Sequence, residues 1–390
     1  ATSQPTSAGN ATGLITTQMT GKASRSNMSG LDFGTVWQSQ PNEYPELITL
    51  TGDVGDDEDG ENNNQSDLPG SGTPVDPYVI TNVSELQAME DDLDAYYELG
   101  RDINASSTAQ WNNRSGFDPV GESGNEFIGS LDGNNHTIRG LTIDQPNQDR
   151  VGLFGVSKGS ITDISLTNIT VTGDERVGGL IGVNERGIIQ SASVSGSITG
   201  TSDVGGLGGV NERGTIENTS ASGSVNGEDD VGGLVGFNRE SKIQNASISS
   251  NVNGILTVGG LAGTNNKGTI QKASVSGSIE GSNRVGGLVG YAYRGKIQNS
   301  STYCSVNGNS EVGGIIGSNR GGTVQHTFAV GSISAGSSAG GGITGAKSDL
   351  GFSPATIKDS YFDEQATSQP TSAGNATGLI TTQMTGKASR

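Results

Sequence analysis

VGGLIGVNERGIIQSASVSGSITGTSD (177–203) is followed directly by VGGLGGVNERGTIENTSASGSVNGEDD (204–230). Val-Gly-Gly starts again at Val231, Val258, Val285 and Val312, each time 27 residues on. A degenerate copy begins near Ala339, and a less regular Val-Gly-Leu-Phe-Gly begins at Val151. A fixed period of this length marks a solenoid or a propeller. Twenty-seven residues are too few for a propeller blade, which needs about 40. They suit one coil of a parallel β-helix, with about three short strands and three turns.

The apolar positions keep register from one period to the next. Leu180, Leu207, Leu234, Leu261, Leu288 and Ile315 share one phase; Ile189, Ile216, Ile243, Ile270, Ile297 and Val324 share a second. Val194, Ala221, Ile248, Val275, Thr302 and Ala329 form a third, and Ile198, Val225, Val252, Ile279, Val306 and Ile333 a fourth. These residues are small or β-branched and have no helical spacing, as strands require. Coiling would stack each column at about 4.8 Å per step. Asn184, Asn211, Asn238, Asn265 and Asn319 are in register too, with Ala292 the exception. Stacked amides of this kind form a hydrogen-bonded ladder. Gly187, Gly214, Gly268, Gly295 and Gly322 follow three residues later, with Ser241 the exception, where a corner of positive φ is expected.

The chain has 390 residues, 64 of them Gly, and a formal charge of −19. A solenoid of this composition needs little bulky core, because each coil buries its face on its neighbour. The acidic balance argues against nucleic-acid binding, which wants a basic face. It fits a surface that repels its own kind, or life in high salt. No stretch of 18 apolar residues is present. With Ala first and no visible signal peptide, the chain reads as a mature or internal piece. Its one cysteine, Cys304, falls in the column of Gly196, Gly223, Ser250, Gly277 and Gly331, and is read as a small residue tolerated at a turn.

A second regularity spans the whole chain. ATSQPTSAGNATGLITTQMTGKASR (1–25) recurs identically at 366–390, an offset of 365. The parent is then built of near-identical 365-residue modules, or the chain is one period of a continuous fibre cut with an overlap. An artificial duplication is the third reading. The expected organisation is as follows: 1–50 the end of a preceding module, 51–75 an acidic linker, and 76–150 irregular lead-in coils. Regular coils occupy 151–350, and 351–390 closes the module and starts the next. In the lead-in, Asn82 and Glu85 read as a capping box, and Leu86, Met89 and Leu93 recur at helical spacing, predicting one short helix over 84–94.

At this point a resemblance enters. VGGLIG (177–182) and VGGLVG (231–236, 285–290) resemble the GLUG motif of large secreted and surface proteins of bacteria and haloarchaea. GSGTPVDPYVI (70–80), ELQAMEDDLDAYYELGRDINA (85–105), FIGSLDGNNHTIRGLTI (127–143) and YFDEQATSQPTSAGNATGL (361–379) are similar to that family as well. The resemblance implies an extracellular, cell-surface β-helical stalk or adhesin-like region, with no fixed activity; the acidic balance favours the haloarchaeal side.

Candidate sites are few. The run Asp53, Asp56, Asp57, Asp59 offers hard oxygen ligands for Ca²⁺, though the spacing is not that of a twelve-residue calcium loop. A solvated acidic hinge is the plainer reading, and no other cofactor is indicated. Asn-X-Ser/Thr begins at Asn10, Asn27, Asn64, Asn82, Asn104, Asn113, Asn135, Asn168, Asn218, Asn245, Asn299 and Asn375. Asn218, Asn245 and Asn299 share a column and would set glycans in a row. His136 and His326 show no ligand spacing. Asp203, Glu228, Asp229, Asp230, Asn283, Arg284 and Glu311 lie just before Val-Gly-Gly and read as a solvated charged edge.

Three functions are weighed. The leading one is a structural, non-enzymatic filament whose partner is itself. The second is an adhesin or stalk that grips surface glycans or displays another domain, for which Tyr291, Tyr293 and Tyr303 are the aromatic candidates. The third is a carbohydrate-active enzyme, which predicts carboxylates converging near Asp118, Glu122, Glu126 and Asp132.

Overall fold

In the computed structural model, residues 68–336, 340–348 and 354–385 are described, together with a short antiparallel pairing of Trp37–Gln38 with Glu46–Leu47. The chain divides into two units, Ala1–Asn62 and Asn63–Arg390. The acidic run of Asp53, Asp56, Asp57 and Asp59, and the sequons at Asn10, Asn27 and Asn64, lie outside the described residues.

The second unit is a parallel β-solenoid. One coil runs through Ser202–Gly205, Gly208–Glu212 and Thr215–Asn226. The next repeats it as Asp229–Gly232, Val235–Arg239 and Lys242–Asn253. The strands pair in parallel at a 27-residue offset: Val204 with Val231, Val210 with Phe237, Ile216 with Ile243, and Ala221 with Ile248. Three stacks result: one of six strands, one of eight, and a long one that also takes in the lead-in and closing strands. Alternation along each strand puts one set of side chains inside. Ile189, Ile216, Ile243, Ile270, Ile297 and Val324, within strands, are all 0% exposed, and so are Leu180, Leu207, Leu234, Leu261, Leu288 and Ile315 at the bend between two strands. Full burial of such a side chain is worth about 1.5–3 kcal/mol, so the one continuous core is a long row of modest contributions.

The Val-Gly-Gly corner owes its composition to close approach between coils. A Cβ on Gly206 would run into the Gly233 carbonyl, one on Gly233 into that of Gly260, and one on Gly260 into that of Gly287. At the next corner, Asn184 Nδ2 donates to Asn211 Oδ1 (2.8 Å), Asn211 to Asn238 (3.0 Å) and Asn238 to Asn265 (2.9 Å). Where Ala292 interrupts the column, Asn265 Nδ2 donates to its own turn, at Gly268 O (3.2 Å). Asn319 does the same to Gly322 O (3.3 Å).

The glycine three residues after each Asn has a different cause from the one expected. The left-handed residue is the one before it: Arg186 (φ 63), Arg213 (φ 54), Glu240 (φ 49), Lys267 (φ 54) and Arg294 (φ 51). Gly214 is needed because its Cβ would strike the Asn184 amide and lie 2.6 Å from Asn211 Oδ1. Ser241 fits in that column because its hydroxyl hydrogen-bonds to the ladder, at Asn238 Oδ1 and Asn211 O.

Two more expectations are corrected. The helix is α-helical only over Val83–Gln87 and continues as a 3-10 turn over Ala88–Asp91. Its capping box forms, with Asn82 Oδ1 accepting from Glu85 N (2.9 Å) and Glu85 Oε2 from Asn82 N (3.3 Å). Glu90 and Asp91 at its end oppose the helix dipole, and the turn stops before Leu93. Cys304 is not at a turn but inside the strand Ser301–Gly308, 3% exposed. Gly223, Gly277 and Gly331 in its column hold φ of 112°, 114° and 128°.

Candidate functional site

The corner ahead of Val-Gly-Gly is also left-handed, at Arg176 (φ 59), Asp203 (φ 53), Asp230 (φ 48), Arg284 (φ 51) and Glu311 (φ 52). This conformation turns the side chains toward the eight-stranded face. There Arg176, Asp203 and Asp230 wall a groove of about 540 Å³ with Arg150, Glu185, Glu212 and Arg239, over Val156, Val183, Val210 and Phe237. Within the column expected to be a solvated edge, Asp203 and Asp230 turn over the groove instead, while Glu228 and Arg284 are exposed as expected. Asp203 and Asp230 are half-buried. Burial pushes the Asp203 carboxyl up to about 6 against the pull of Arg176, and Asp230 up to about 7. Thr264 Oγ1 donates to Asp230 Oδ1. Arg176 bridges neighbouring acids, with Nη1 3.4 Å from Asp149, Nη2 3.4 Å from Glu175 and Nε 4.0 Å from Asp203.

Aromatic rings on this face carry guanidinium groups. Arg239 lies 5.3 Å from the Phe237 ring centre, Arg284 5.0 Å from Tyr291, and Arg294 5.4 Å from Tyr293. Tyr303 belongs to another strand stack, where it meets Phe328 edge-on at 5.5 Å. The three tyrosines therefore do not form a single patch.

A second concavity of about 550 Å³ lies in the lead-in, lined by Asp118, Glu122, Asp149 and Arg150. Beside it a smaller one of about 330 Å³ adds Glu90. Burial, then the charges of Asp118 and Asp91, push Glu90 up to about 7. Of the four carboxylates expected to converge, Asp118 and Glu122 share this concavity. Asp118 is tied down by two amides, Gln145 Nε2 (2.9 Å) and Asn112 Nδ2 (3.0 Å). Glu126 instead pairs with Lys158 (3.0 Å), which lowers its carboxyl below the usual range. Asp132 Oδ1 accepts from Asn134 N (2.8 Å).

Acid–base work on a glycoside needs two carboxyls driven apart in proton affinity. Asp203 and Asp230 are both driven upward by the same cause. Among the described residues no group of three or more His, Cys, Asp or Glu is placed to hold a metal. His136 meets Asp102 (3.3 Å) and His326 meets Asp359 (3.6 Å), each a single pair.

Of the sequons, Asn82, Asn104, Asn113, Asn135, Asn168, Asn218, Asn299 and Asn375 are exposed and Asn245 is half-buried. Asn218, Asn245 and Asn299 occupy one left-handed corner (φ 55, 54, 51), and Asn245 Nδ2 donates to Asn218 Oδ1 (2.8 Å). The groove over Phe237 escaped the sequence reading. Its signal was the recurrence of Asp or Arg at a corner where the backbone turns left-handed.

Residues 173–199 and 200–226 match the GLUG motif. Halomucin from Haloquadratum walsbyi is 42% identical over 119 residues, 28% of this chain and 1% of that protein. A protein described as a Gly-rich membrane protein, from Evansella cellulosilytica, is 32% identical over 110 residues, 27% of this chain and 13% of that one. The chain thus spans a small part of either relative. Among solved structures, a protein described as an immunoglobulin A1 protease from Bacteroides ovatus aligns at 18% identity and TM-score 0.40, over 81% of this chain and 87% of that one. A structure described as IgA1 protease aligns at 18% identity and TM-score 0.42, over 73% of this chain and 21% of that one. Likenesses this shallow say nothing about activity.

Proposed function

We propose that this GLUG-repeat chain is a module of a structural filament at the cell surface, built from 365-residue solenoids in tandem or polymerised, and that it is not an enzyme. The observation that carries the reading is the identity of 1–25 with 366–390. A solenoid end exposes unpaired N–H and C=O groups, so it is capped or recruits another strand; a repeating array meets that need at every join. The module boundaries are those given from sequence, with 51–75 as the joint. Relatives named as a halomucin and as a membrane protein support the surface location. Among the described residues no helix is long and apolar enough to cross a membrane. The exposed sequons suit glycosylation, which would discourage side-to-side association. Electron microscopy of the native material tests the reading. Rods with one axial repeat per module support it, and discrete particles of one module refute it.

The groove over Phe237 favours the adhesin as second reading. Aromatic rings flanked by charged side chains fit a surface glycan, with Tyr291 further along the same face. Glycan-array binding that is lost with Phe237→Ala would move the balance to it.

A further inference from the structure

The second copy of the duplicated sequence is partly visible, and it closes the solenoid. Thr377–Leu379 pairs in parallel with Tyr361–Asp363, Thr377 against Tyr361 and Leu379 against Asp363. Thr377 N donates to Ser360 O (3.0 Å), Gly342 N to Thr371 O (3.0 Å), and Ala373 N to Thr344 O (3.1 Å). Gln369 Nε2 donates to Ile333 O (3.1 Å), and Ser372 Oγ accepts from Ile343 N (3.1 Å) and Thr344 N (3.0 Å). Thr381 Oγ1 donates to Asp363 Oδ1 (3.0 Å).

Every partner that the closing segment meets in that set, donor or acceptor, from Ile333 to Asp363, lies before residue 366. The receiving edge therefore belongs to the body of the module, and the strand that fills it belongs wholly to the duplicated sequence. The bonding residues of the closing segment have identical counterparts at Gln4, Thr6, Ser7, Ala8, Thr12 and Thr16.

We infer that the end of the solenoid is a binding site for residues 1–25 of a second copy of this chain, which take the place of 366–390 by adding the same strand in the same register. Strand addition of this kind draws affinity from the main chain and specificity from side chains in fixed places. An identical sequence can make identical contacts, so the closing segment holds its place only by the high effective concentration of a tethered strand. The idea rests on the modular reading for its setting, but not for its test. Failure of exchange would leave a fibre joined by peptide bonds intact.

The test disables one copy at a time in the full chain. Thr377→Pro removes the N–H that meets Ser360 O and leaves the twin at Thr12 untouched. Sedimentation velocity from micromolar toward millimolar concentration should show the natural chain and Thr12→Pro as monomers. Thr377→Pro should form head-to-tail dimers and longer chains, and Thr12→Pro/Thr377→Pro should lose them. A labelled peptide of sequence 1–25 should bind Thr377→Pro, whereas its Thr12→Pro version should not. If Thr377→Pro disturbs the last coil itself, Gln369→Ala/Ser372→Ala removes side-chain bonds only and should give the same order. Monomeric Thr377→Pro at every concentration overturns the proposal, as does equal association of the single and double variants.

Discussion

Asn238→Ala should weaken the solenoid well beyond the loss of one surface amide. Asn238 is 0% exposed. Its Nδ2 donates to Asn265 Oδ1 (2.9 Å), and its Oδ1 accepts from Asn211 Nδ2 (3.0 Å) and from Ser241 Oγ. Truncation strands an amide on one side and a carbonyl on the other. A buried polar group left without a partner costs about 1–3 kcal/mol, so two cost about 2–6 kcal/mol. Relief is available: Asn211 can swing to its own turn, as Asn265 does toward Gly268 O beside Ala292. Ser241 Oγ also keeps Asn211 O at 3.1 Å. The expected loss is therefore about 2–4 kcal/mol. Asn319→Ala is the control, because Asn319 bonds to its own turn, at Gly322 O and Gly322 N. It should cost about 1–2 kcal/mol. Urea unfolding followed by far-ultraviolet circular dichroism measures both. Equal midpoints for the two variants would refute the idea that the amides act as one continuous ladder.

Other outcomes follow from the same geometry. The Asp230 carboxyl, at about 7 in the folded chain, lies above the ordinary aspartate value of about 3.9. The folded chain thus keeps a proton that the unfolded chain loses. That contribution is complete below about pH 4 and disappears as pH rises through about 7. Asp230→Asn should therefore match the natural chain at pH 4 and melt higher at pH 8; parallel melting curves across that range would contradict the burial of this carboxylate. Burial pushes the Cys304 thiol up to about 12, so a thiol reagent should label it only in denaturant. Rapid labelling of the folded chain would show that the strand Ser301–Gly308 opens. If the acidic run holds Ca²⁺, calorimetry should show heat that vanishes when Asp53, Asp56, Asp57 and Asp59 become Asn. No heat with the natural chain would end that proposal.

The coils were legible because a solenoid writes its register into the sequence. Leu207 and Leu234 are alike because one lies on the other, and the same holds for Ile216 and Ile243. The cause of a conserved-looking column was harder to read. Gly214 appears turn-forming by type, yet the backbone strain falls on Arg213, and the glycine makes room for an amide. Arg213 offered no warning, since Arg is not a residue associated with left-handed corners. Asp203 and Asp230 mislead for a related reason. A charged residue at a repeated corner looks solvated until the corner's φ turns it over the neighbouring face. Cys304 sits in a glycine column and so resembles a turn residue, but that column lies within a strand. The site in the lead-in was half legible: Asp118 and Glu122 do share a concavity, while Lys158 claims Glu126 from a coil that sequence spacing did not connect to it.

Spin-label distances along one outward column test the stacking most directly. In a Cys304→Ser background, nitroxide pairs at Asn218 with Asn299, Asn218 with His326, and Ser191 with His326 span three, four and five coils. Pulsed electron resonance should return separations near 14, 19 and 24 Å, rising by about 4.8 Å for each added 27 residues. Distances that fail to grow in equal steps, or that grow by more than a strand spacing per step, would mean that these layers do not lie one upon another.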